Sequence, residues 1–186
     1  LGRLKEGKEQ GKSVWEADYK LARPGLYAFV MQPEPYWEPE EDCFIVHYTK
    51  AYVDAFGDDE GWSEPLGIKA EIVPMVRPGA LYAGNVFQGV VMFNGKAVPG
   101  AEVEVEWYPG AGFVGQAPSE TMITQTVKAD SNGVFTYAAP AAGWWGFAAL
   151  MEGDSKIKLE GKEKNVEIGA VLWVYFNEFR APEKLK

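Results

Sequence analysis

The stretch TYAAPAAGWWGFAAL, residues 136–150, carries no charge, two adjacent tryptophans, and a proline and a glycine just ahead of them. A membrane-spanning helix needs about 20 consecutive apolar residues. This run is shorter, contains Pro140 and Gly143, and is flanked by Asp130, Glu152 and Asp154. A strand fits it better. Successive side chains of a strand point to opposite faces, so Trp144 groups with Gly146 and Ala148, and Trp145 with Phe147 and Ala149. Small residues beside each indole leave room for it to lie flat. Both faces are apolar, which predicts cover on both sides. A facing sheet would cover one, and a loop, another domain or a partner the other. Packing into a core takes precedence over a ligand platform, because large aromatics dominate core packing.

The bulk composition agrees with a strand-rich chain. The 186 residues are 47% hydrophobic and 14% aromatic, with seven Trp, nine Tyr and ten Phe. That is too apolar for a disordered chain, and aromatics favour strands. Twenty-one Gly and twelve Pro supply many turns. The net charge of −9, with Lys and Arg scattered, excludes the basic patch of a nucleic-acid binder. An acidic surface keeps a protein soluble and is compatible with a cationic partner, a metal ion included. The chain has one cysteine, Cys43, and one histidine, His47. An intrachain disulfide and a tetrahedral Cys/His zinc site are both excluded. The polar opening LGRLKEGKEQGK, with no initiating Met, reads as an internal start whose leader has gone.

Further along, SVWEADYKL alternates Trp15, Ala17, Tyr19 and Leu21 with charged residues, which predicts a half-buried strand. ARPG is its turn and LYAFVMQ its return, so residues 14–32 read as a hairpin. PEPYWEPEED (33–42) has three prolines and five acids and reads as an acidic, aromatic loop. CFIVHYTKAYV (43–53) is a third strand, DAFGDDEGWSEPLG a second acidic loop, and IKAEIVP a short fourth strand. MVRPGALYAG (75–84) reads as a linker. Asn94-Gly95 is a strong hairpin signal, and AEVEVEWY turns Ala101, Val103, Val105 and Trp107 inward against Glu102, Glu104 and Glu106. TMITQTVKA, the turn DSNG and VFTYAAP predict another hairpin, and VEIGAVLWVYF a final strand. Short strands at roughly 8–12-residue spacing argue for a sandwich or barrel.

Several of these segments, taken together, resemble the domain of unknown function 4198 family: RPGLYAF, EDCFIVHYTK, LYAGNVFQGVV, NGKAVPGAEVEVE, TQTVKADSNGVFTYAAPAAGWWGFAAL and GAVLWV. The likeness runs from Trp15 to Val174, with ADSNGVFTYAAPAAGWW its most specific part. The resemblance implies a periplasmic protein associated with nickel or cobalt uptake, with a membrane metal-transporter component and a divalent metal ion as partners. It also implies a histidine-bearing segment ahead of the first strands, which this sequence lacks. The architecture expected is all-β, in two sandwich domains. Residues 1–78 would form an incomplete N-terminal one, 79–176 a prealbumin-like or immunoglobulin-like one, and 177–186 a peripheral tail.

Within the chain, His47 is the candidate metal ligand. Imidazole suits nickel and cobalt, usually beside further N and O donors. On its strand it shares a face with Cys43, Ile45 and Thr49, and acids at 38 and 40–42 lie just ahead. The other reading is a sheet histidine bonded to a neighbour. A single nitrogen donor makes a weak site, so tight binding would need the absent upstream segment or a second chain. This chain is expected to hold nickel no tighter than roughly the millimolar to high-micromolar range, with His47→Ala changing little. Glu102, Glu104 and Glu106 stand about 6.6 Å apart. They could recruit a cation or face cross-strand partners such as Thr124, Thr126 and Lys128. The acids at 54, 58–60 and 64 lack the ligand pattern of an EF-hand. Catalysis has little support. A second histidine is missing, and Cys43 and His47 lie roughly 13 Å apart along an extended strand. The expectation is a non-enzymatic protein with no transmembrane segment. A structural or carbohydrate- or protein-binding module using Trp37 and Trp62 is the alternative.

Overall fold

The computed structural model describes residues 4–9, 11–57, 60–108 and 117–180. The first strands are β1 (Lys5–Glu9), β2 (Lys12–Glu16), β3 (Gly25–Met31), β4 (Tyr36–Glu38), β5 (Cys43–Ala55) and β6 (Ala70–Pro74). Then follow β7 (Val86–Phe93), β8 (Lys96–Ala97), β9 (Glu102–Tyr108) and β10 (Thr124–Lys128). The last are β11 (Val134–Ala138), β12 (Gly143–Glu152), β13 (Ile157–Leu159) and β14 (Lys162–Phe176). The described helical residues are two short 3-10 turns, Pro78–Ala80 and Glu120–Met122. None is long and apolar enough to cross a membrane.

The large sheet runs β10-β9-β12-β14-β5-β3, with β13 against β14 and β4 against β5. A smaller sheet, β11-β7-β6 with β8 against β7, supplies the facing layer. Their inner faces share one core, in which Phe87 of β7 meets Phe147 of β12 at 4.7 Å between ring centres. This is an all-β sandwich.

The stretch at 136–150 builds the middle of it. Trp145 and Phe147 are buried, whereas Trp144 is 36% exposed on the outer face. The Trp145 indole donates to the Ala141 carbonyl at 2.9 Å, and Trp107 donates to Ala142 at 3.1 Å. The residues just before the strand thus satisfy the polar edge of both indoles, one buried and one half-buried. Gly143 has φ +121°, and a Cβ there would stand 2.8 Å from the Trp107 Nε1. Only glycine fits that corner.

Two expected hairpins pair differently. β2 pairs with β1 as a separate two-stranded ribbon, and β3 pairs with β5. Trp15 is 71% exposed, so its alternation marks a ribbon outside the core rather than a half-buried strand of the sandwich. β10 joins β9 in the large sheet while β11 joins β7 in the small one. DSNG is therefore an arch between the sheets. By contrast, Asn94 (φ +50°) and Gly95 (φ +71°) make the two-residue turn expected of them, closing β7 on β8.

The boundary expected between residues 78 and 79 does not coincide with a break in either sheet. β6 pairs with β7 across it, and β5 lies parallel to β14 from Asn165↔Cys43 to Trp173↔Ala51. Strands of the N-terminal half enter both sheets instead of closing a sandwich of their own. β14 would otherwise be a bare edge beside β12, and β5 satisfies its backbone. The segment read as a linker is pinned: Leu81 is 2% exposed, its carbonyl accepts the Asn177 N–H, and Ala83 donates to Asn177.

The arch offers a test. The Asp130 carboxylate accepts the N–H groups of Asn132 at 2.8 Å and Val134 at 3.0 Å. These bonds, Val134 first, hold it below the ordinary carboxylate range. A folded value below the unfolded one, about 3.9, stabilises fully above that pH and is lost as pH falls through the folded value. Asp130→Ala should therefore melt below the parent at neutral pH, and the gap should close in acid. Thermal melts across that range check it.

Candidate metal site on the outer face of the large sheet

β5 alternates from Cys43 to Tyr52. Phe44, Val46 and Tyr52 turn into the core, and Lys50 turns with them. Cys43, Ile45, His47, Thr49 and Ala51 face outward and are half-buried. The parallel register with β14 places Glu167 opposite Ile45 and Gly169 opposite His47. Glu167 thus stands between Cys43 and His47, and its Oε1 lies 2.9 Å from the His47 Nε2. The imidazole lies over Gly169, where a Cβ would stand 2.4 Å from its Cδ2. Any larger residue at 169 would push the ring away.

His47 therefore has both attributes that the sequence left open. It is a sheet histidine bonded to a neighbour, and that neighbour is a carboxylate, an oxygen donor of the kind that completes nickel or cobalt sites. Cys43 does not join it. Its thiol donates to Glu41 at 3.8 Å. Partial burial, then the charges of Glu167 and Glu41, the bond to Glu41 and the charge of Glu38 raise its pKa. Metal binding needs the thiolate, and these negative neighbours keep the proton on.

The acids ahead of β5 serve the loop. Glu38 accepts the Glu40 N–H at 3.2 Å, and Asp42 pairs with Lys164. Among the described residues, no group of three or more His, Cys, Asp and Glu side chains is arranged to hold a metal ion. The carboxylates of β9 meet cross-strand partners. Lys128 pairs with Glu102 at 3.1 Å, Thr124 donates to Glu106, and Thr126 lies opposite Glu104. Asp58 and Asp59 of the second acidic loop lie outside the described residues.

A family model described as domain of unknown function (DUF4198) matches residues 2–153. The chain belongs to that family. No curated protein and no solved structure matches it. The DUF4198 match takes in Cys43 and His47 but stops short of β14, which carries Glu167 and Gly169. Both were missed in the sequence, because the parallel pairing joins residues 120 apart and no local pattern signals it. Trp37 and Trp62, which the binding-module alternative would use, are half-buried. The Trp37 ring packs on Phe44 at 5.1 Å, with the Lys164 ammonium 5.4 Å above it.

Proposed function

We propose that this DUF4198 protein is a non-catalytic, periplasmic accessory of a transition-metal uptake system, which takes nickel or cobalt and passes it to a membrane transporter component. The observation that supports the reading is the His47–Glu167 pair, an imidazole and a carboxylate in contact on an accessible sheet face. Two donors give a weak site. Weak binding suits a protein that must release its metal to the next one.

Calorimetric titration with nickel tests this. Two donors at about 4–6 kcal/mol correspond to a dissociation constant in the millimolar to high-micromolar range. His47→Ala should abolish the heat of binding. Gly169→Ala, which displaces the ring without deleting it, should weaken it. Failure to bind at about 10 mM nickel would overturn the metal reading. Nanomolar binding that survives His47→Ala would move the site elsewhere in the chain.

The alternative, a binding module without metal, gains one observation. Exposed aromatics on the outer face include Tyr108, Trp144 and Tyr175, which are 44%, 36% and 44% exposed. Titration with a glycan panel tests it.

A further inference from the structure

On the outer face of the large sheet, about 13 Å along β5 from His47, lies an open depression of about 400 Å³. Tyr108, Trp144 and Trp173 line it, with Ala51 and, from β1, Glu9. Its shape follows from Gly146. A Cβ at that position would stand 3.0 Å from the Trp173 Cη2, so the missing side chain lets the Trp173 ring lie across β12. Leaning that way, Trp173 approaches Tyr108, two strands off, at 6.4 Å between ring centres and 81° between planes. Two rings at right angles make a corner. Trp144, cross-strand neighbour of Tyr108, supplies the third ring and is braced by Tyr175 at 5.3 Å and 70°.

The electrostatics point one way. Aromatic faces carry negative potential and attract cations. Among the described residues, Glu9 is the one charged residue in the lining. A small, strongly hydrated metal ion would find too few oxygen donors here to replace its water. A quaternary ammonium holds its water weakly, has an apolar surface that fits aromatic walls, and, with no N–H to lose, keeps its positive charge at every pH.

We propose that Tyr108, Trp144, Trp173 and Glu9 form a binding site for an organic cation of the quaternary ammonium class. It shares no residue with the His47–Glu167 pair and stands whether or not nickel binds there.

The test titrates the whole chain with choline and with its neutral isostere, in which carbon replaces the charged nitrogen, following tryptophan fluorescence. Phosphatidylcholine vesicles in a parallel sedimentation assay separate a lipid headgroup from a free ligand. Binding in either arm supports the site. Choline should bind about 10-fold tighter than the isostere, and Trp144→Ala should weaken it by about 10-fold and Glu9→Gln by about 3-fold. Trp144 lies outside the core, so its truncation should leave the far-ultraviolet circular dichroism unchanged; Tyr108→Leu is a second, independent variant. Equal binding of the isostere would overturn the proposal. So would absence of choline binding in both arms, or unchanged choline affinity in folded Trp144→Ala and Tyr108→Leu.

Discussion

Glu71→Ala should cost this protein about 3–5 kcal/mol of stability, read as a fall in the denaturant midpoint. Glu71 and Lys50 are 3% and 1% exposed, and the ammonium donates to the carboxylate at 2.6 Å. The same carboxylate accepts the N–H groups of Leu66 at 3.1 Å and Gly67 at 3.0 Å. Removing it leaves a buried charge without its counter-ion and two amides without their acceptor. Lys50→Met should cost less, because Glu71 keeps its two amide donors.

The pH dependence separates this from ordinary cavity formation. Burial lowers the Lys50 pKa, and the bond and charge of Glu71 partly offset it. Without Glu71 the folded value falls further below the unfolded one, about 10.4. Between the two values the unfolded chain binds more protons, so stability rises with pH. The deficit of Glu71→Ala should therefore shrink as the pH is raised towards that of free lysine. A deficit constant over that range would mean that the lysine charge is not its cause. Nearby, burial and then the Glu71 charge push Tyr52 up to about 12, and its hydroxyl has no hydrogen-bond partner among the described residues. Tyr52→Phe should be neutral or slightly stabilising.

Nothing in the sequence announces that pair. Lys50 falls on the core face of β5 by simple alternation, but its partner is 21 residues away on a strand of the other sheet. Local signals read correctly where the structure is local. Asn94-Gly95 sets its turn, and Glu102, Glu104 and Glu106 face Lys128, Thr126 and Thr124. Trp144 and Trp145 divide between two faces. They misled where one local pattern serves two long-range outcomes. The turn at Asp130 looks the same whether β10 and β11 pair or part into separate sheets. The alternation around Trp15 looks the same in a ribbon as in a buried hairpin. The parallel contact of β5 with β14 has no turn at all to betray it, so Glu167, Gly169 and the shared core were invisible while His47 and Cys43 were plain.

Phe147→Ala should cost about 3–5 kcal/mol, the usual range for deleting a buried phenyl ring. Phe147 is fully buried at the centre of β12, with Phe87, Phe135 and Tyr137 at 4.7, 5.6 and 6.0 Å between ring centres. Those three rings all belong to the small sheet, so this side chain bridges the two layers at their centre. The surroundings have little freedom to collapse into the gap. At Gly89 a Cβ would already stand 2.7 Å from Ile72 Cγ2 and 3.0 Å from Phe135 Cε1, so the backbone of β7 is pressed against its neighbours. Phe147→Leu, which keeps most of the volume, should recover more than half of the loss. If Phe147→Ala instead melts within about 1 kcal/mol of the parent, the two sheets do not depend on this contact, and the reading of residues 136–150 as the packed centre of the sandwich fails with it.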